Sequence, residues 1–489
     1  MKLNYKRTIL VGFAFFLISA FWQAYDAIVP LIMINHYGLS QTVSGAVMSL
    51  DNVLAVFLLP IFGALSDKVM TRFGRRTPFI VTGAIAAILS FSFLAIMDTW
   101  QLARLADAGI VEAYNAIKSS LAIAKEAGNE AAILACEAEL AAITETVRKM
   151  TLENIWPVVS FIGVLLVVLL SMATFRSPAV ALMPDVTIKP LRSKGNAIIN
   201  LMGAAGGILV LVLGMIFGTS KNLYMSYVGY VIAVCIIMAA GLVVFMTTVK
   251  EKAWAEEMDA ESARLGLDAV TSDDKTGSRK LSKPEFISLA LILASVALWY
   301  VGYNSITSKY SVYATNVLGF DYNFTLIIAQ AAAIVSYIPV GIVSSRFGRR
   351  KTILAGITML ATAFLLGYFI TPNISPVIMY PIFALAGIGW ATINVNSFPM
   401  VVELAKGGDV GKYTGYYYTA SMSAQIVAPI LSGALYDLVG KAVGNVNQGM
   451  RYVFFIFGAV FVAFSFITMF FVKHGDSRPE AEEVLDNID

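Results

Sequence analysis

The sequence predicts an all-α integral membrane protein, with twelve transmembrane helices in two pseudo-symmetric six-helix bundles and a helical hairpin inserted on the outer side. Three observations carry this. Of 489 residues, 58% are hydrophobic and 14% charged, against roughly 45–50% and about 25% in soluble domains. Apolar runs of about 20 residues, long enough to cross roughly 30 Å of hydrocarbon as a helix, recur twelve times. The segment Arg72-Phe-Gly-Arg-Arg76 returns unchanged as Arg346-Phe-Gly-Arg-Arg350, each time just after the second run of a six-run half. Repetition at equivalent places implies duplicated halves with the site between them.

The expected spans are 8–32, 41–65, 77–97, 154–183, 193–217, 224–248, 284–312, 322–345, 351–371, 375–401, 413–438 and 450–472. They group as an N-terminal bundle over 1–248, a charged central linker over 249–283, a C-terminal bundle over 284–473 and an acidic tail over 474–489 carrying Glu480, Glu482, Glu483, Asp486 and Asp489. The first run is too long for a signal-peptide core and is followed by no small-residue cleavage site, so it is expected to remain as an anchor. Orientation follows from where the 35 basic residues fall, because short cytoplasmic loops collect Lys and Arg. With the amino terminus inside, inner termini and short inner loops hold 18 of them and the linker 7, whereas short outer loops hold 4, the 98–152 segment 5, and one, Arg176, lies within a span. Both termini are expected to be cytoplasmic and the protein to sit in the plasma membrane, or the inner membrane of a bacterium.

Residues 98–152 are rich in Ala and Glu, with Leu102, Leu105, Val111, Tyr114, Ile117 and Leu121 at helical spacing and a break at Gly128-Asn129. They read as an outer hairpin too small to hold an independent core. A formal charge of +3 leaves no basic surplus for a nucleic-acid partner. Cys136 and Cys235 cannot make a disulfide framework, and His36 and His474, both expected outside the spans, are too few for a His-rich metal site. No cofactor and no metal are expected. A polytopic enzyme would need a nucleophile, an acid or base, or metal ligands converging at one level, and no recognised catalytic motif supplies them.

Charges within spans are costly, about 2.5–3.5 kcal/mol on insertion scales, so the few present carry function or pair with one another. Three stand out: Asp26 in span one, Asp51 in span two and Arg176 in span four. At ~1.5 Å per residue the two acids fall at similar depth in the outer half, with Arg176 nearer the midplane. Two carboxylates at one level can hold a proton, which makes them the expected coupling site for H+, with Na+ as the alternative. A static ion pair is the structural alternative for Arg176.

The loop sequences carry a family resemblance. Gly341-Ile-Val-Ser-Ser-Arg-Phe-Gly-Arg-Arg350 resembles the loop motif of the major facilitator superfamily, with Ser345 where Asp is usual. The first copy, Gly63-Ala-Leu-Ser-Asp67 through Arg72, Gly74, Arg75 and Arg76 to Thr77-Pro-Phe-Ile80, has four extra residues between acid and Gly-Arg-Arg and resembles the plant sucrose transporters and their animal and bacterial relatives. Pro178 through Met183-Pro184-Asp185 is similar to the end of their fourth helix, and Pro60 with the residues after it resembles the glycoside, pentoside and hexuronide cation symporters. Val180 stands where the plant proteins place an arginine, and Arg176 lies one turn earlier. The resemblance implies alternating access, a sugar or glycoside as solute, and a monomer in the lipid bilayer; efflux of another small solute is the further alternative. It implies gating by Gly63, Asp67, Arg72, Gly74, Arg75, Arg76, Asp185, Gly341, Arg346, Gly348, Arg349 and Arg350. An acid at the inner surface is expected to hold a basic residue or helix end of the neighbouring bundle while that side is closed.

The resemblance points to spans one, four, seven and ten, supported by five and eleven, for solute recognition. Aromatic faces for sugar rings are Trp22, Tyr25, Trp299, Tyr303, Trp390 and Tyr417; amides for hydroxyls are Gln23, Asn196, Asn200, Asn304, Asn394, Asn396 and Gln425. Asn196, Asn200, Gly203 and Gly207 form one helical stripe, which faces either the pore or a closely packed helix. Asn394 to Pro399 reads as a weakened helix whose freed backbone groups meet a ligand.

Overall fold

The computed structural model describes residues 3–188, 191–265, 281–372, 374–402, 404 and 410–474. The acidic residues of the tail, and residues 266–280 of the linker, lie outside them. Helices are α1 (Tyr5–Leu31), α2 (Gln41–Met48), α3 (Leu50–Lys68), α4 (Thr77–Asp107), α5 (Ile110–Glu126), α6 (Glu130–Glu153), α7 (Trp156–Asp185), α8 (Arg192–Phe217), α9 (Val228–Thr248), α10 (Glu251–Arg264), α11 (Lys283–Thr307), α12 (Tyr310–Val312), α13 (Tyr322–Phe347), α14 (Arg349–Tyr368), α15 (Met379–Val402), α16 (Val410–Val443) and α17 (Val446–Phe470). Among the described residues twelve segments are long and apolar enough to span a membrane, and the expected spans match them to within a few residues at most ends. Large apolar side chains stay exposed along them, among them Phe57, Ile236, Val335 and Ile338. Water would penalise such surface and lipid does not.

Several ends differ from expectation. Span three runs on to Asp107, ten residues past position 97, because its last turns bury Gln101 and Leu105 under the insert. Span one continues through a π-helical turn, Ile32–His36, so His36 belongs to a span and is fully buried. The expectation that no histidine lies in a span fails here because the turn carries the helix past the end of the apolar run. Span seven ends in a matching π-turn, Tyr313–Leu318. Span two breaks at Ser49, which starts α3 two residues before Asp51.

The chain divides into two compact units. Unit 1 comprises Met1–Glu261, Ser308–Asn323 and Gly433–Met450; unit 2 comprises Ser262–Thr307, Phe324–Ser432 and Arg451–Asp489. The ends of spans seven and eleven thus belong to unit 1.

In unit 1, α1 packs on α8 and α4 on α7. The α1–α8 contact is close because Gly203 faces Ser19 and Phe15 while Gly206 faces the Phe16 carbonyl, positions where a Cβ would strike. The span-five stripe is therefore divided: Gly203 serves helix packing, and Asn196 and Asn200 are exposed. The expected hairpin is α5 and α6, turning at Gly128-Asn129 with Asn129 capping α6. Its core of Leu105, Ile110, Tyr114, Ile143 and Val147 closes over Tyr224 of the α8–α9 loop. Beneath it His36 Nδ1 lies 2.7 Å from Asp98 Oδ1 and Nε2 lies 2.9 Å from the Leu223 carbonyl, binding the end of α1 to α4 and to that loop.

In unit 2, α14 packs along α15 through Gly356 and Gly389, and Ser295 and Ser465 exchange hydrogen bonds between α11 and α17. α15 runs through Asn394 to Pro399 without ending, up to Val402, and Pro399 inside it has no N–H to offer the carbonyl one turn back. Asn396 donates to the Thr392 carbonyl one turn back, so its amide serves the helix.

Candidate functional site

The three in-span charges meet in unit 1. α1 brings Trp22 and Asp26, the first turn of α3 brings Asp51, and the middle of α7 brings Arg176. Asp26 lies within electrostatic reach of both Asp51 and Arg176, and Asp51 within reach of Arg176. From Val11 to Ser40, Asp26 alone is exposed. A carboxylate facing open space from an otherwise enclosed stretch is reachable by ions or solutes. The Arg176 guanidinium also sits 5.5 Å from the Trp22 ring centroid, within cation–π range. Asn52, which no pattern in the sequence singles out, donates to Asp51 at 2.7 Å.

One arginine facing two carboxylates leaves a net charge of −1 when all three are ionised, and one proton brings it to zero. In a low-dielectric layer that difference is worth far more than in water. The cluster is thus able to take up and release a single cation equivalent.

Tyr25 lies beside the triad, within electrostatic reach of Asp26 and Asp51. It is fully buried, stacked on Phe21 at 5.9 Å and edge-on to Trp22 at 5.3 Å. Gln23 is half-buried on the same helix. Trp299 is likewise enclosed, at 1% exposure, against Tyr300.

Unit 2 gathers the remaining aromatics. Tyr303 of α11 stacks on Trp390 of α15, centroids 5.9 Å apart at 28°, and Tyr337 of α13 meets Trp390 edge-on at 6.5 Å. Tyr337 shares a hydrogen bond with Asn394, and Tyr417 bonds both Ser397 (3.1 Å) and Tyr300. Tyr337 and Tyr300 were missed because the resemblance pointed to other positions; aromatics on span eight at the level of Trp390 were the available signal. Several expected amides fold back on their own helix: Asn304 donates to the Tyr300 carbonyl, Gln425 to Ser421, and Asn200 to Asn196. Their carbonyl oxygens are then the atoms left for a hydroxyl donor.

The first loop motif forms a charge network at the opposite end of unit 1 from the insert. Arg76 Nε donates to Asp185 at 2.7 Å and Arg75 Nη2 lies 3.0 Å from the same carboxylate, while Arg76 also pairs with Asp67. Burial works against the Arg76 charge, but its hydrogen bonds to the Asp185 carboxylate and the negative charges of Asp185 and Asp67 more than offset it and hold its pKa above the ordinary value. Among the described residues Asp67 pairs with Arg76 of its own unit. Glu251, at the start of α10, accepts from the amides of Arg75, Arg76 and Thr77 and from the Thr77 hydroxyl, all at 2.7–2.8 Å. It caps α4 from a distance. Gly74 is required there: its φ is +115° and a Cβ would enter the Glu251 side chain. Gly63 takes part through its carbonyl, 3.4 Å from Arg76, and Arg72 is exposed over Phe73. Glu251 was missed, though an acid just past span six is a fair candidate for an uncapped helix.

The second copy is built differently. Arg346 is exposed, Gly341 has open space around it, Gly348 has φ +87° just before α14, and Arg349 and Arg350 are half-buried, with Arg350 donating to the Phe470 carbonyl.

Comparison with known proteins bears on the whole chain. The Major Facilitator Superfamily model matches residues 149–405 and 321–487, and a model described as MFS/sugar transport protein matches 11–116. Proton-associated sugar transporter A from Homo sapiens is 42% identical over 57 residues, and the Mus musculus protein matches equally. That match covers 12% of this chain and 8% of the relatives' length. Among solved structures, the inward-open xylose transporter of E. coli aligns with 99% of both chains at a TM-score of 0.65 and 12% identity. A D-xylose-proton symporter aligns with 96% of this chain and 99% of its own at 0.60 and 13%. At such identities the likeness is one of fold.

Proposed function

The chain belongs to the Major Facilitator Superfamily, and on that premise we propose that it is a secondary active transporter that moves a sugar or glycoside by alternating access, coupled to protons. The observation that carries the coupling is the triad of Asp26, Asp51 and Arg176, with Asp26 alone exposed on its stretch of helix. Protonation cancels the surplus negative charge, and solute binds to the neutral cluster. A ligand drives the conformational cycle only through unequal affinity for its states, and a charge cancelled in one state and solvated in another supplies that inequality.

The sugar class is supported by stacked Tyr303 and Trp390 beside Tyr337 and Asn394, which offer flat faces and hydroxyl partners. It is supported too by the sugar-transport family model over 11–116 and by relatives named as proton-associated sugar transporters. In this reading Trp22, Gln23, Asn196, Asn200, Asn304 and Gln425 are further solute contacts. The 1–248 and 284–473 bundles rock about the 249–283 linker, both termini face the cytoplasm, and the protein acts as a monomer in the plasma membrane. The arginine network of Asp67, Arg75, Arg76 and Asp185 stiffens one bundle so that it moves as a body.

Counterflow of labelled sugars in proteoliposomes, with an imposed pH or sodium gradient, tests this. An inward proton gradient is expected to drive accumulation. Asp26→Asn and Asp51→Asn are each expected to lower uphill accumulation at least tenfold while leaving counterflow. Accumulation driven by sodium alone, or by protons in both variants, would remove the proton-coupling reading.

A further inference from the structure

The insert end of unit 1 contains charges that neither the triad nor the arginine network uses. Asp437 of α16 accepts from the Gln41 amide at 3.0 Å, from the Thr42 amide at 2.8 Å and from the Thr42 hydroxyl. It places a full negative charge on the first turn of α2, where free amides and the helix dipole favour one. One turn earlier on α16, Gly433 lies so close to Gln41 that a Cβ would strike its carbonyl. The two π-turns are also joined here, with Asn316 donating to Asn35 at 2.7 Å and Asn35 returning a longer contact at 3.5 Å. These contacts tie first-half residues to the ends of spans seven and eleven, so they must part when this end of the path opens.

Beside them is a group that nothing satisfies. Lys309 is 0% exposed, and its Nζ has no hydrogen-bond partner among the described residues. Asp437 is the acid within electrostatic reach of it. A buried ammonium without an acceptor is expensive, and a sequence keeps one where another conformation repays the cost.

We propose that Asp437 is a two-partner gate at the insert end: it holds the α2 amides when that end is closed and passes to Lys309 when it opens. The closed state gains charge-assisted hydrogen bonds at α2 and leaves Lys309 stranded. The open state loses the α2 cap and satisfies Lys309. Two discrete partners for one carboxylate make the element bistable. The gate rests on alternating access and not on the proposed solute or coupling ion, so it stands or falls separately from them.

The two residues must then act with opposite sign. Spin labels at Val43→Cys and Leu438→Cys, both exposed and flanking the contact, in full-length protein carrying Cys136→Ser and Cys235→Ser in liposomes, read the separation by double electron–electron resonance. Asp437→Asn is expected to raise the ratio of long to short distances about tenfold, the scale of lost hydrogen bonds to a charged group. Asp437→Glu, which keeps the charge, is expected to stay near the parent. Lys309→Met is expected to lower that ratio and to raise the apparent Tm, since it removes both the competing partner and the stranded charge. An unchanged distribution in Asp437→Asn overturns the gate. So does a Lys309→Met protein that opens like Asp437→Asn and melts earlier than the parent.

Discussion

Five identical residues at 72–76 and 346–350 sit at equivalent places in the two halves, and the arginines that close them differ in burial. In the first copy Arg76 is almost fully buried and faces Asp185 and Asp67, while Glu251 holds the amides of Arg75, Arg76 and Thr77. In the second copy Arg350 is half-buried and reaches a neutral carbonyl, and α14 begins at Arg349 without a side-chain cap from Gly348. The pentapeptide does not determine its own chemistry. Acids from elsewhere do, and they arrive from the ends of α3 and α7 and the start of α10. The basic residues are common to both copies; Arg76 of the first is almost fully buried, and Arg350 of the second is half-buried.

The sharpest test removes the arginine at the shared position. Arg76→Ala leaves a mostly buried carboxylate short of its closest partner and is expected to cost about 3–5 kcal/mol. Arg350→Ala is expected to cost less, because Arg350 is half-buried whereas Arg76 is almost fully enclosed, and solvent screens a half-buried charge. Thermal unfolding in lipid nanodiscs compares them, and equal losses would erase the distinction drawn between the copies.

Next in size is the cap. Glu251→Ala strands three amides and a hydroxyl that are shielded from water, an expected loss of about 4 kcal/mol at roughly 1 kcal/mol for each unsatisfied group. Hydrogen exchange at Arg75 to Thr77 should accelerate with it, whereas the start of α14 stays unchanged. Slow exchange retained at those amides would mean that Glu251 is not their acceptor.

The smallest effect is expected from restoring the usual acid to the second copy. Ser345 is exposed and its hydroxyl returns to the Ile342 carbonyl at 2.8 Å. Ser345→Asp should therefore change the apparent stability by no more than about 0.5 kcal/mol. A gain above ~1 kcal/mol would show that the second copy lacked only its acid.

The sequence was most informative where a property is local. Span number and ends followed from apolar run length, the hairpin from its helical spacing and its Gly128-Asn129 turn, and the in-span charges from the cost of burying them. The similar depth expected for Asp26 and Asp51 agrees with their electrostatic contact, because a helix converts residue count into height. Other features depended on rotation and on partners far away in the chain. No local pattern marks Tyr25 and Trp299, and only the fold shows that both are enclosed by neighbouring aromatics. Tyr337 and Glu251 gain meaning only from Asn394 and from the N-terminus of α4.

The order of residues alone is enough to specify a twelve-span membrane protein of duplicated halves with Asp26, Asp51 and Arg176 inside its apolar runs, since periodicity, length and charge position are written residue by residue. Which charges pair is settled only in three dimensions. Asp67 and Asp185 share Arg76, Glu251 caps α4, and Asp437 rather than a loop-end acid holds a helix terminus contributed by the other half of the sequence. Pairing depends on contacts a few ångströms long between residues separated by up to 396 positions, and no local pattern encodes such a distance.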